Sequence, residues 1–324
     1  MTDWREQELK TARQLVARGS KALQNGRGAR ARHALNEARA VLEMSAERPD
    51  EKLKLQAQLL NELGVLAQRE DDTERAREHH EESLRVCEEL IDRDVDFHSN
   101  AAATHLNLSS MIAAGGDLVE ATRHNERALE LIDKALAGGD DSAASLAVGA
   151  HQNMALLLAR SERFERAEEE LDTTVELAVE RAEAGDARSL PQAAQACQRL
   201  SVMLFEAGKH ERALTLGRRA EQLAEDAYEA LGSEVLSVYV ISQINLISYN
   251  EKLGRFADAE DALWKGLDVS GNHPDVLKRG LAFYEHLRKQ ADGRLEKGDL
   301  PRDEVEEGLA DLERRIDEVG GLDD

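Results

Sequence analysis

Residues 100–136 read NAAATHLNLSSMIAAGGDLVEATRHNERALELIDKAL, two amphipathic helical patterns broken at Gly115-Gly116-Asp117. In the second pattern the small residue Ala121 is followed seven positions later by Ala128. Five positions before Ala121 stands the turn residue Gly116, twelve before stands Ser109 and thirteen before stands Leu108. The same template recurs around Ala31, Ala76, Ala121, Ala167, Ala213 and Ala259, at steps of 45, 45, 46, 46 and 46 residues. A single globular core gives no reason for such constancy, whereas stacked copies of one supersecondary unit require it.

The columns around these anchors agree with one another. Five before them stand Gly26, Asp71, Gly116, Glu162, Gly208 and Gly254, mostly the residue that accepts positive φ without cost. Seven after them stand Ala38, Ser83, Ala128, Thr174, Ala220 and Gly266, all small. Twelve before are Gly19, Gly64, Ser109, Ala155, Ser201 and Ile247; thirteen before are Arg18, Leu63, Leu108, Met154, Leu200 and Leu246. Small residues at fixed spacing let two helix backbones approach, and a large apolar neighbour fills the groove beside them. The spacing therefore predicts six helix hairpins over residues 1–273. A further hairpin over 274–324, broken at Gly298-Asp299-Leu300-Pro301 and lacking the small anchors, is expected to cap the same continuous array. Arg18 in place of an apolar plug fits a first repeat that faces water. Fourteen helices are expected in all.

Composition points the same way. The chain has 324 residues, 41% hydrophobic and 33% charged, with only four prolines, and no stretch alternates with the period of a strand. An all-α fold follows. A net charge of −23 disfavours nucleic acid and anionic membranes as partners, and it favours a monomer. The two cysteines, Cys87 and Cys197, fall on small apolar helix positions and show neither a disulfide framework nor a zinc-ligand spacing. The first ten residues, MTDWREQELK, have no apolar core of a signal segment, and no apolar run of membrane-spanning length stands out. The expected location is the cytoplasm.

These columns resemble the tetratricopeptide repeat, a helix–turn–helix with small residues at the helix contacts and glycine at the turn. The clearest copies are LLNELGVLAQREDDTERAREHHEESL, HLNLSSMIAAGGDLVEATRHNERALEL and QRLSVMLFEAGKHERALTLGRRAEQL. The resemblance covers residues 10–270 and is closest to extended-helix arrays such as kinesin light chain and related bacterial proteins, since each copy exceeds the usual ~34 residues by about a dozen. It implies a right-handed α-solenoid of stacked antiparallel hairpins with 45–46-residue repeats. It also implies a non-catalytic scaffold or adaptor that holds a peptide or partner protein in a concave groove lined by the first helix of each pair. The alternative is a ligand- or peptide-sensing regulatory module that controls a second partner.

Fourteen before the anchors stand Asn107, Asn153, Arg199 and Asn245 in the central and later copies. In the family, asparagine at this column faces the groove and binds peptide backbone; an amide offers both a donor and an acceptor. Seven residues further along, on nearly the same face, stand Arg69, Arg160 and Lys252. Together with Arg199 they would favour an extended segment carrying acidic side chains. The plain alternative is a row of solvated polar positions. Other motifs carry less. Gly26–Ala31 matches GxGxxA but follows a helix, where the dinucleotide fingerprint needs a strand. His79-His80 beside Glu81-Glu82 lacks a metal-binding helical spacing. Asn107-Leu108-Ser109 is a formal sequon on packing columns. The glutamate runs at 168–170 and 304–307 read as solvated faces. No nucleophile motif, metal or cofactor is expected.

Overall fold

A computed structural model describes residues 2–44, 49–93 and 97–322, with side chains from Glu6 onward. Glu47 and Arg48, in the Glu47-Arg48-Pro49-Asp50 stretch whose proline marks a loop, lie outside the described residues. Among the described residues there are fifteen α-helices and no strand. They are α1 (Thr2–Gln24), α2 (Gly28–Glu43), α3 (Asp50–Arg69), α4 (Thr73–Asp92), α5 (His98–Ala114), α6 (Leu118–Ala137), α7 (Ala143–Arg160) and α8 (Phe164–Glu183). They continue with α9 (Leu190–Glu206), α10 (His210–Leu231), α11 (Leu236–Leu253), α12 (Phe256–Ser270), α13 (Pro274–Leu287), α14 (Asp292–Lys297) and α15 (Arg302–Glu318). The chain falls into two compact units, residues 1–157 and 158–324, with the division inside α7.

In unit 1, α1 packs on α2, α3 on α4 and α5 on α6, and each hairpin meets the next through α2–α3 and α4–α5. In unit 2 the hairpins are α9–α10, α11–α12 and α13–α15, joined through α8–α9, α10–α11 and α12–α13. Each unit is thus a stack of antiparallel hairpins, the α-solenoid arrangement. The anchors explain why: Ala31, Ala76, Ala121, Ala167, Ala213 and Ala259 are all fully buried, and larger side chains there would push the paired helices apart. Where a column residue is polar, its hydroxyl finds a backbone acceptor. Ser83 Oγ donates to the Ala57 carbonyl at 2.9 Å, and Ser109 Oγ donates to the Ala121 carbonyl at 2.8 Å. Gly64 lets the buried His80 ring lie against α3, because a Cβ there would sit 2.5 Å from His80 Cε1.

All six turn residues take positive φ, the glycines from Gly26 (68°) to Gly116 (96°), and two of the six are not glycine: Asp71 (59°) and Glu162 (58°). A left-handed non-glycine residue costs about 1–2 kcal/mol, with aspartate tolerated better than glutamate. Glu162→Gly is therefore expected to stabilise the protein by about 0.5–1 kcal/mol after the added freedom of the unfolded chain is subtracted. Urea unfolding of the variant checks this, and a lower midpoint would contradict it.

The capping hairpin departs from the expected fourteen-helix count. Its first arm bends at Arg288–Ala291, and the short α14 stands between α13 and α15. Arg302 holds the bend: Nη1 donates to the Arg288 carbonyl at 2.9 Å, Nη2 to the Gln290 carbonyl at 2.5 Å, and Nε to Asp292 Oδ1 at 2.9 Å. Leu295, from α14, is fully buried.

The segment His210–Leu253 contains a window long and apolar enough to cross a membrane by length and composition, at mean hydropathy 1.4. That window was not anticipated. Its apolarity has a packing cause, since α11 contacts α9, α10, α12 and α13 and is wrapped on several sides. Val238, Tyr239, Leu246, Ile247 and Tyr249 are buried there. So are the polar Ser242 and Gln243, which pair with Gln198 and Glu221. Cys87 and Cys197 are fully buried free thiols, pushed up to about 12 by burial.

Candidate partner-binding face

The first helices of the hairpins carry the residues expected to grip a partner, and each unit treats them differently. In unit 1 the asparagines tie neighbouring hairpins together. Asn107 Nδ2 donates to Asn61 Oδ1 at 2.9 Å, and the same oxygen accepts from His80 Nδ1 at 3.1 Å. Asn153 Nδ2 donates to Ser110 Oγ at 3.2 Å. Asn107 and Asn153 are half-buried and keep their carbonyl oxygens for another donor. Arg69, in the last turn of α3, donates from Nη1 to the Leu23 carbonyl near the end of α1. That carbonyl also accepts from the Gly26 amide at 2.9 Å, so Arg69 adds a second, charge-assisted bond at the negative end of the helix.

In unit 2 the set is less committed. Arg199 on α9 and Lys252 on α11 are exposed, and Asn245 on α11 is half-buried; none of these three side chains bonds to another described residue. Two large apolar side chains stand on the same helices, Val202 (36% exposed) and Ile241 (47% exposed). The α9 and α11 registers are locked by Gln198, whose Nε2 donates to the Val238 carbonyl at 2.7 Å and to Ser242 Oγ at 2.8 Å. Arg160, at the end of α7, is exposed and already has an interaction. Beside Lys252, Glu251 turns towards α13, where it pairs with Arg279 and His286.

Counting by columns missed Asn61. The first anchor steps are 45 residues, so fourteen before Ala76 falls on Glu62, yet the Asn61–Asn107 contact spans 46. Counting back 46 from Asn107 would have found it. Glu168 also differs from a purely solvated reading: its carboxylate takes Arg212 Nε at 3.0 Å and Nη2 at 2.8 Å across a hairpin boundary. His79 and His80 diverge, His80 being buried against Asn61 while His79 is half-buried elsewhere. The GxGxxA segment spans the turn after α1 and the first residues of α2.

A family model matches residues 50–317, most of the chain. The chain belongs to DUF6483, a family of unknown function. No curated protein sequence matches this DUF6483 chain significantly. Solved structures do match its fold. BtubC (BKLC) from P. vanneervenii is 19% identical, covering 80% of this chain and 91% of that one at a TM-score of 0.56. RapI in its apo form is 12% identical, with coverage of 95% and 99% and a TM-score of 0.54. The apo quorum sensor NprR from B. thuringiensis is 10% identical, with coverage of 96% and 83% and a TM-score of 0.51. At these identities the likeness is one of fold, and this chain has a tetratricopeptide-like fold with lengthened helices.

Proposed function

We propose that the chain is a non-catalytic protein-interaction scaffold that takes up an extended segment of a peptide or partner protein along its first helices. The observation that carries this reading is the trio Arg199, Asn245 and Lys252, uncommitted on α9 and α11 beside the exposed Val202 and Ile241. Asn245 supplies a donor and an acceptor for a partner's backbone, the two cations match carboxylates, and the two aliphatic side chains take apolar ones. An acidic extended segment fits this set. Asn107, Asn153, Arg69 and Arg160, which the sequence pattern assigns to the same work, already have interactions within the chain. The reading goes with a cytoplasmic monomer.

Random displayed peptides panned against the wild-type protein are expected to be enriched in Asp and Glu. The selected peptides are expected to bind the triple variant R199A/N245A/K252A at least tenfold more weakly, a loss of about 1.4 kcal/mol or more. Peptides without acidic enrichment, or equal affinity for the variant, would sink the proposal. Thermal stabilisation by a small metabolite with no peptide selected would move the chain to the ligand-sensing alternative.

A further inference from the structure

Unit 1 holds a second concavity, built by the second helices α2 and α4 and the end of α3 between them. Its volume is about 90 Å3, and it is lined by Arg32, Asn36, Arg39, Leu63, Leu66, Ala67, Glu70, Arg75 and His79. The helix period explains how they converge. Arg32, Asn36 and Arg39 are spaced i, i+4, i+7 on α2, and Arg75 and His79 are spaced i, i+4 on α4. Leu63, Leu66 and Ala67 of α3 are buried and form an apolar floor.

The charge balance of this pocket is unusual for a chain of net charge −23. Arg32 is spent on Glu70, with Nε at 3.1 Å and Nη2 at 2.6 Å from Oε1. The guanidinium groups of Arg39 and Arg75 engage no acceptor among the described residues, nor does the Asn36 amide. By contrast, Arg77, Arg212, Arg255 and Arg315 each pair with a carboxylate on another hairpin. His79 reports the local field. Burial is the main cause lowering its pKa, and Arg39 and Arg75 lower it further, against Glu82 and Glu78 acting the other way. Two unpaired guanidiniums, an amide and an imidazole therefore face a small recess with an apolar base.

We propose that this pocket binds the phosphate group of a small phosphate monoester. The donors come from two walls, so they suit a tetrahedral dianion whose oxygens point in several directions better than a flat carboxylate, which one guanidinium fork can satisfy. The recess admits the phosphate itself and leaves the organic group towards solvent. Arg39 and Arg75 grip the oxygens, while Asn36 and His79 donate to those that remain. This site uses none of the residues assigned to partner binding, so the two proposals stand or fall separately.

Calorimetric titration of the full chain at low ionic strength and pH 7.5 tests it, with phenyl phosphate, inorganic phosphate and acetate as probes. Phenyl phosphate is expected to bind saturably with one site, and acetate not to bind. R39A and R75A are each expected to weaken phenyl phosphate at least tenfold, and R30A, an exposed position on α2 outside the pocket, to leave it unchanged. Binding to inorganic phosphate but not phenyl phosphate would overturn the monoester assignment. No saturable binding by the wild type, or unchanged affinity in R39A and R75A, would overturn the site. If R39A proves less stable on melting, R75A, whose side chain is exposed, decides alone.

Discussion

Urea unfolding at pH 7 and pH 5 will show the protein losing about 2 kcal/mol of stability from His80 alone, and about 3 kcal/mol once the pH falls below 4. His80 Nδ1 donates to Asn61 Oδ1, which leaves Nε2 as a bare lone pair, buried and without a partner. Adding a proton there would place an imidazolium N–H in apolar surroundings with nothing to accept it. Burial, and next the neighbouring His79, accordingly push His80 down to about 4. The folded state binds fewer protons than the unfolded chain, whose histidines titrate near 6.5. The stability contribution is therefore complete above that value and is lost as pH drops towards 4. His105 is also pushed down to about 4, by burial first and then by His124 and Arg127. Its Nδ1 lies 2.8 Å from His124 Nδ1, a contact with room for only one proton. His80→Phe keeps a ring and removes the titration, so its pH 7 to pH 5 difference should shrink by about 2 kcal/mol. Hydrogen exchange should place the early opening in α3–α6. Equal stability of the wild type at the two pH values would contradict this account.

Gly298→Ala is the second large effect, expected to cost about 2–4 kcal/mol and to lower the melting temperature by several degrees. A Cβ at this position would run into the Phe256 ring and stand 2.7 Å from the Gly254 carbonyl oxygen. Neither neighbour can yield easily. Phe256 is fully buried, and the Gly254 oxygen belongs to the left-handed turn between α11 and α12. Backing away would also stretch the 3.0 Å bond from the Ala257 amide to the Gly298 carbonyl, which ties the capping hairpin to the start of α12. Gly293→Ala, where a Cβ meets nothing within 4 Å, is the matched control and should be close to neutral. Equal melting of the two variants would show that the close approach is not a constraint.

What was legible in the sequence was whatever repeats. The six anchors are buried and the six turn residues are left-handed, including Asp71 and Glu162, which no glycine count would have selected. Position in the column carried that information, because the turn geometry is imposed by the hairpin whatever residue occupies it. Features made once were not legible. The bend at Arg288–Ala291 depends on Arg302, ten or more residues away on the next long helix, and leaves no local turn signature. The asparagine register was obscured because the first two steps of the repeat are a residue shorter than the rest. The candidate partner face was legible in its residue types, but pairing separates them: Arg69 is taken by the Leu23 carbonyl while Arg199 and Lys252 are left open. The cationic recess was not legible because its walls come from three helices, and the stripes that α2 and α4 bring to it suit any exposed surface.

The burial of α11 has a consequence for the chain before it folds. From Leu236 to Asn250 it runs LSVYVISQINLISYN, fifteen residues without a charge or a proline and rich in β-branched and aromatic side chains. With most of its side chains packed among four helices this stretch is held in place, but on a nascent or partly denatured chain it has the composition of a segment that stacks with its own copies. Recovery from denaturant should therefore fall steeply with protein concentration, and chaperones that shield such segments should matter more to this protein's yield than its modest size suggests.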